Sequence, residues 1–379
     1  MYAIIGCGKC GSSLLGALLA TQTRELRNLY FPVAVGSTVD DLRRSGTSPG
    51  IWLGVTPEGE LMYGREKGFG ETIKGGIGKD FAKGYDFFQK ARDNLEDGFD
   101  EVLPGYSEGK INLVILFFSV GGGTGGGSAS VLAQLFKDNG MRVIGVGVLP
   151  AESEDPRMAW NAYCCLRESL DKFDGLLLAD NNMIDRSPGL DSFYKSFNAY
   201  ITGCVSDLIF SSIEAGPGIN HGVMSSSDYQ DIFTSLTIGD VVGIGALGRV
   251  TISMGYFRSI SNLEPVEWVE RARNHLTLEV PDGFDKIKKL HCIATMHSSF
   301  AKKQNFPSME LRDVLRSITP LGAITGLNVT KKRMLRLTLI LMYNPGDVLS
   351  LRRLKEKAEK YKKLEDEEKG LWKSLFEER

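Results

Sequence analysis

Residues 121–128 read Gly-Gly-Gly-Thr-Gly-Gly-Gly-Ser, six glycines around one threonine, and they leave few ways to fold the chain around them. Before them lies Leu113 to Val120, a continuous β-rich apolar run, and after them the helical run Val131 to Phe136. Glycine loses more backbone freedom on folding than any other residue, so such a cluster is costly unless something must approach bare main chain there. A flexible linker does not sit between a buried strand and a helix. A triphosphate is a ligand of the required kind, because free N–H groups at a helix start attract anions. A Walker loop would close with Gly-Lys-Ser/Thr, and no lysine stands at that place.

The rest of the chain repeats the strand, turn and helix pattern. Tyr2 to Ile5 is a short apolar run that stops at Gly6, and helical spacing follows Ser12. Pro32 to Val35 and Val143 to Leu149 are further short strands, and continuous apolar strands alternating with helices predict a parallel sheet covered on both faces. From Asp191, a plausible N-cap, the residues Phe193, Phe197, Ile201, Cys204 and Leu208 keep helical phase, predicting a long central helix. Glu214 to Ser227 holds three glycines, a proline and a serine triplet, which predicts a long functional loop. Beyond it, strands are expected at Val250 to Met254, His291 to His297 and Leu335 to Met342, with a helix at Ser308 to Ile318.

The expected fold class is therefore α/β. A Rossmann-like parallel-sheet domain spans 1–190, a central helix and loop 191–231, a second smaller mixed-sheet α/β domain 232–346, and a charged helical tail 347–379. In the tail, Leu351, Leu354, Ala358, Tyr361 and Leu364 form a narrow stripe. Such a stripe suits a surface helix resting on the body. The alternative is a helix that docks on a neighbouring subunit or, through Leu371, Trp372, Leu375 and Phe376, on a membrane or partner.

Composition narrows the function classes. With 379 residues, 42% hydrophobic and 24% charged, the chain has enough apolar mass for two packed cores, which excludes general disorder. Lys and Arg total 45 against 47 for Asp and Glu, so bulk charge points to neither nucleic acid nor an anionic membrane. The six cysteines are too few and too irregularly placed for a disulfide framework, and the longest apolar run, Val114 to Val120, is too short for a membrane span. A cytoplasmic protein is expected. Cys7 and Cys10 have metal-like spacing without a second pair nearby, and His221, His275, His291 and His297 show no metal spacing; thiols packed under the loop are the expected role.

Two further glycine loops and one acidic pair carry chemistry. Gly6-Cys7-Gly8-Lys9-Cys10-Gly11 matches the dinucleotide pattern G-x-G-x-x-G, but that reading needs an acid at the end of the second strand. The strand ends Val35-Gly36-Ser37-Thr38, with Asp40 and Asp41 beyond it, which demotes a dinucleotide-dependent oxidoreductase to an alternative. Lys74-Gly75-Gly76-Ile77-Gly78-Lys79-Asp80 can form another phosphate-facing nest. Asp228 and Asp231, three residues apart after the long loop, open a helix where acids suit the dipole; in isolation they read as an N-cap and an exposed acid.

With these motifs the sequence resembles the tubulin/FtsZ superfamily, over about residues 1–345. Residues 121–127 match the signature loop G-G-G-T-G-[ST]-G with Gly126 in the variable place, and Gly8-Lys9-Cys10-Gly11 resembles the tubulin first loop Gly-Gln-Cys-Gly. Residues 74–80, Gly147-Val148-Leu149-Pro150 and the pair Asp180-Asn181 resemble the archaeal CetZ-like branch. The resemblance implies a GTPase that binds GTP or GDP with Mg²⁺ and polymerises head-to-tail, with no nucleic-acid partner. It implies nucleotide contacts from Gly8, Lys9, Cys10, Gly11, Ser12, Ser37, Gly76, Gly78, Gly121, Gly122, Gly123, Thr124, Gly125 and Gly126. Lys9 pairs with a phosphate or faces solvent. Glu154 falls at the ribose-binding glutamate, with Glu152 and Asp155 as alternatives, and Arg157 at an arginine near the nucleotide. Asn181 and Asn198 fall where the family reads guanine, with Tyr194 spaced to stack on the base.

Asp231, orienting water, and Asp228, steadying the water network or Mg²⁺, would act on the nucleotide of the next subunit. The family's asparagine just before this acidic pair is serine here, and Gly36-Ser37-Thr38 stands where relatives carry Asn-Thr. The implied role is cytoskeletal, in cell shape control, with division or plasmid partition as alternatives.

Overall fold

The computed structural model describes residues 2–21, 30–38, 41–42, 50–55, 61–65, 77–183, 190–210, 237–238, 241–253, 264–297, 308–330 and 334–376. In chain order these form β1 (Tyr2–Cys7), α1 (Gly8–Thr21), β2 (Tyr30–Gly36), β3 (Gly50–Val55), β4 (Leu61–Arg65), α2 (Phe81–Lys90), α3 (Arg92–Val102), β5 (Leu113–Ser119), α4 (Gly123–Asp138), β6 (Arg142–Leu149), α5 (Pro156–Ser169) and β7 (Gly175–Asp180). There follow α6 (Leu190–Phe210), β8 (Thr237–Ile238), β9 (Val241–Val242), β10 (Ile244–Ser253), α7 (Pro265–Arg273), β11 (Lys289–His297), α8 (Ser308–Ile318), β12 (Gly322–Thr330), β13 (Met334–Tyr343) and α9 (Leu349–Phe376).

Side chains alternate across a sheet, so a strand that is apolar at every position must be covered on both faces. In β5, Val114, Leu116 and Phe118 enter one core and Leu113, Ile115 and Phe117 the other. The first core is closed by α2 to α5, through Phe88, Leu95, Phe99 and Phe136. The second is closed by α1 and α6, through Leu14, Leu18, Ile201 and Leu208. The covered parallel sheet expected from the sequence is thus present.

Among the described residues, one eleven-stranded sheet runs in the order β12-β11-β13-β10-β7-β6-β5-β1-β2-β3-β4, with β8 and β9 paired separately. The strands from β7 to β3 are parallel, and β13 is antiparallel to both β10 and β11. The mixed-sheet second half expected from the sequence is joined edge to edge with the first. That joint is narrow: Ile244, Gly245 and Ala246 pair with Leu176, Leu177 and Leu178, whereas β10 pairs with β13 along its whole length. The helix α6 reinforces it from one face. Asp207 is 3% exposed and ion-pairs with Arg336 of β13 and Arg249 of β10, and it accepts a 2.6 Å hydrogen bond from the Thr338 hydroxyl.

Two local expectations are corrected. Helix α4 starts at Gly123, inside the glycine run, and not at Val131. In α9, Leu354 and Ala358 are buried as the stripe requires, but Leu364 is 52% exposed. A straight α-helix drifts relative to a repeating stripe, so by the second half of α9 the seam has passed to Tyr361, Lys362 and Glu365. There Lys362 Nζ lies 5.7 Å from the Trp160 ring centroid of α5. Among the described residues no helix is long and apolar enough to cross a membrane.

Candidate functional site

From β1 the chain goes to β2 on one side, while β5 lies on the other, so the direction of winding reverses between β1 and β5. Helix α1 then packs on one face and α4 on the opposite face. In an open α/β sheet the crevice at the carboxyl ends of two such strands is where ligands bind. Both helices start there, each directly after a glycine turn.

Gly8 has φ 64°, a left-handed backbone that only glycine adopts freely, and a Cβ on it would come within 3.0 Å of the Gly125 nitrogen and 3.2 Å of Thr124 Cβ. The two turns are thus in contact. The N-cap of α4 is Gly122, extended at φ −90° and ψ 151°, with no side-chain cap, so the first N–H groups of α4 lack a capping partner from their own turn. Thr124 Oγ1 lies 2.8 Å from Ser37 Oγ, which joins the α4 start to the end of β2. The Ser12 hydroxyl in the first turn of α1 is fully buried and has no hydrogen-bond partner.

Most of the glycines also serve the protein's own packing. A Cβ on Gly123 would lie 2.1 Å from the Gly78 carbonyl oxygen, one on Gly126 2.8 Å from that of Val120, and one on Gly11 2.1 Å from that of Phe117. Gly121 abuts the Met158 carbonyl, and Gly127 meets Gly84 where α4 crosses α2. Gly122 alone in the run opens onto space, with nothing nearer than 3.8 Å. The run therefore lets four backbone segments converge so tightly that the α4 start is held at the crevice. Gly78, with φ 73°, is exposed.

A residue missed in the sequence secures this convergence. Asn161 of α5 is 3% exposed; its Nδ2 donates to the carbonyls of Lys79 and Gly121, both at 3.2 Å, and its Oδ1 accepts from Phe81 N at 3.3 Å. An asparagine inside a helix gives no local signal of this, because its partners lie 40 and about 80 positions away along the chain. Arg157 contacts the same region from outside: its Nη2 lies 2.6 Å from Asp80 Oδ2, and Asp80 caps α2 by accepting from Lys83 N.

The other wall carries side chains. Glu154 Oε1 accepts from Ala151 N at 3.1 Å and from Asn181 Nδ2 at 3.4 Å. Asn181 is 8% exposed and its Oδ1 is buried with no hydrogen-bond partner. Burial pushes the Cys10 thiol up to about 12, with the Glu154 carboxylate adding to the rise, so Glu154 stands close to the first turn of α1. Glu152 instead faces Arg353 of α9, and Asp155 caps α5 by accepting from Arg157 N at 2.9 Å. Of the three acids, Glu154 is the one beside Asn181.

Lys9 is exposed, and Tyr194 and Asn198 are half-buried on α6, the helix packed against α1. Burial also pushes Cys7 up to about 12, and no cluster of metal-ligating side chains occurs among the described residues. The Cys7 side chain is buried under the loop, and Cys10 is half-buried. Gly76, Asp228 and Asp231, with the loop 214–227, lie outside the described residues.

The arrangement offers two adjoining helix starts, that of α4 without a side-chain cap, two linked hydroxyls, and a buried acceptor beside a carboxylate. Comparison with known proteins agrees in kind. Residues 70–187 match the tubulin/FtsZ family, GTPase domain. Tubulin-like protein CetZ3 of Haloferax volcanii is 28% identical over 251 residues, 64% of this chain and 59% of that protein, so the chain spans about three-fifths of the length of that curated relative. The solved structure of CetZ from Methanosaeta thermophila aligns with a TM-score of 0.72 at 20% identity, over 100% of this chain and 95% of that one. A GTPγS-bound protofilament structure of CetZ2 from Haloferax volcanii aligns at 0.71 and 18% identity, over 95% and 99%. At these identities the structural likeness shows the fold.

Proposed function

We propose that this chain, whose residues 70–187 belong to the tubulin/FtsZ family, binds GTP and GDP in the β1–β5 crevice, polymerises head-to-tail and hydrolyses GTP between subunits. The observation that carries the reading is the contact of two helix starts, Gly8 against Thr124 and Gly125, the second of them without a side-chain cap, with Glu154 and Asn181 beside them. The N–H groups of residues 8–12 and 121–126 bind phosphate oxygens, aided by the two helix dipoles. Gly76 and Gly78 extend the cradle, Arg157 stands at its border, and Lys9 faces the phosphates. Glu154 binds the ribose hydroxyls. The buried Asn181 Oδ1 receives a guanine N–H, the donor it lacks within the protein. Tyr194 stacks on the base while the Asn198 amide bonds its edge.

Mg²⁺ neutralises the β and γ oxygens during phosphoryl transfer when bound. The described residues fit it only sparely: Thr124 and Ser37 supply hydroxyl oxygens, and the turns at residues 6–12 and 121–128 hold no carboxylate. The ion would be held by these hydroxyls, by water and by the phosphates themselves.

The glycine turns at residues 6–12 and 121–128 hold no acid to orient water, and Asp228 and Asp231 supply it from the neighbouring subunit. Asp231 orients the attacking water and Asp228 steadies the water network. A site divided in this way requires a heterologous interface, which repeats without closing and gives filaments. That the similar CetZ2 chain forms a protofilament with GTPγS bound supports this reading, and a cytoskeletal role in cell shape follows from it. The test is phosphate release across protein concentration, with sedimentation in GTP, GDP and a slowly hydrolysed analogue. The rate per molecule rises with concentration, and Asp231→Ala lowers it about 10²–10⁴-fold while GTP binding persists. A rate per molecule that is constant on dilution would contradict the proposal.

A further inference from the structure

The nucleoside wall is tied to α9 by polar contacts. Behind it lies a cavity of about 470 Å³ lined by Leu149, Pro150, Ala159, Asp180, Arg353 and Leu354, so the β6–α5 turn and the end of β7 back onto open space. What crosses that space is α9. Its first turn is anchored by Ser350, whose N donates to the Glu279 carbonyl at 3.2 Å and whose Oγ accepts from Glu279 N at 3.0 Å. One turn on, the Arg353 guanidinium ion-pairs with Glu279 and lies 3.7 Å from Asp180 Oδ2 and 3.8 Å from Glu152 Oε1. Lys357 Nζ donates to the Glu152 carbonyl at 2.7 Å.

These contacts continue without a break to the site. Glu152 N donates to Asn182 Oδ1 at 2.7 Å, and Asn182 N and Nδ2 both donate to Asp180 Oδ1 at 2.8 Å. Asp180, 3% exposed, is followed directly by Asn181, whose amide bonds Glu154. We infer that α9 is a strut for the nucleoside half of the site and that Arg353 is a positioning residue, setting Glu154 and Asn181 through Asp180, Glu152 and Asn182. The inference rests on the nucleotide reading above and deepens it. Among the described residues, the phosphate half makes no contact with Arg353 and is braced instead by Asn161 and by main-chain contacts on α2 and α4.

The two halves can be probed separately. In the full-length chain, Arg353→Met keeps most of the side-chain length and removes the charge. It raises the dissociation constant of a fluorescent GTP analogue by about three- to tenfold, the range set by a few partly exposed ion pairs. Affinity for inorganic tripolyphosphate, read by competition, stays unchanged, and the preference for GTP over 2′-deoxy-GTP narrows. Arg353→Lys restores part of the loss, and Lys357→Met shifts GTP affinity in the same direction by less. Wild-type GTP affinity in Arg353→Met, or equal weakening of GTP and tripolyphosphate, would overturn the inference. Wild-type protein that binds no guanine nucleotide would instead overturn the reading beneath it, and the inference with it.

Discussion

Around Gly8 and Gly123 the crevice is bounded by main chain, whereas around Glu154 and Asn181 it is bounded by side chains tied to one another and, behind them, to α9. The first wall is exact because backbone segments touch with no room for a methyl group. The second is exact only while its polar contacts persist. The two walls should therefore fail differently, the first to added volume and the second to lost charge.

The largest effect is expected from Gly123→Ala. Its Cβ would lie 2.1 Å from the Gly78 carbonyl oxygen, which is main chain and not the end of a flexible side chain. A loss of more than about 3 kcal/mol is expected, measured by urea denaturation. Next is alkaline pH, acting on the thiol sealed beneath the same wall. Cys7 has a folded pKa of about 12, above the ordinary thiol value. The protonated form is therefore favoured by folding; that contribution is complete below about pH 8.5 and is lost as pH rises toward 12. Between pH 8 and pH 10, Cys7→Ala removes about 2 kcal/mol of the wild-type decline in stability. The smallest effect belongs to Gly122→Ala: an added Cβ finds nothing within 3.8 Å and the backbone is ordinary, so stability changes by less than about 0.5 kcal/mol. Similar costs at Gly122 and Gly123 would erase the contrast between a packed wall and an open mouth.

How far this is legible in the sequence depends on how local each signal is. The strand β5 and the helix α8 fall where their residue patterns put them, because burial on two faces and a 3.6-residue period are written in adjacent residues. Residue patterning marks no strand at β7, although Leu176 to Ala179 is apolar and fully buried. That run is short and reads as well for a buried helix segment; its pairing with β6 and β10 decides it. The place of Gly84 within α2 is set by the crossing of α4, a contact between distant segments.

The same distinction applies to the site. The glycine turns are visible as composition, yet the reason for most of the glycines is backbone convergence, which no spacing reveals. Asn161, which braces one wall, and Arg353, which spans the cavity behind the other, have their partners far away in the chain. The tail stripe locates α9 on the body, and its phase departs from the expectation only where the helix outruns the repeat at Leu364.

The central claim is that the crevice between the starts of α1 and α4 holds a guanine nucleotide. Calorimetric titration of the purified chain with GTP, repeated in the presence of excess ATP or NADH, tests it most directly. The account predicts saturable binding of one GTP per chain that GDP displaces and that neither ATP nor NADH competes away. Absence of a GTP isotherm, or displacement of GTP by NADH, would contradict it.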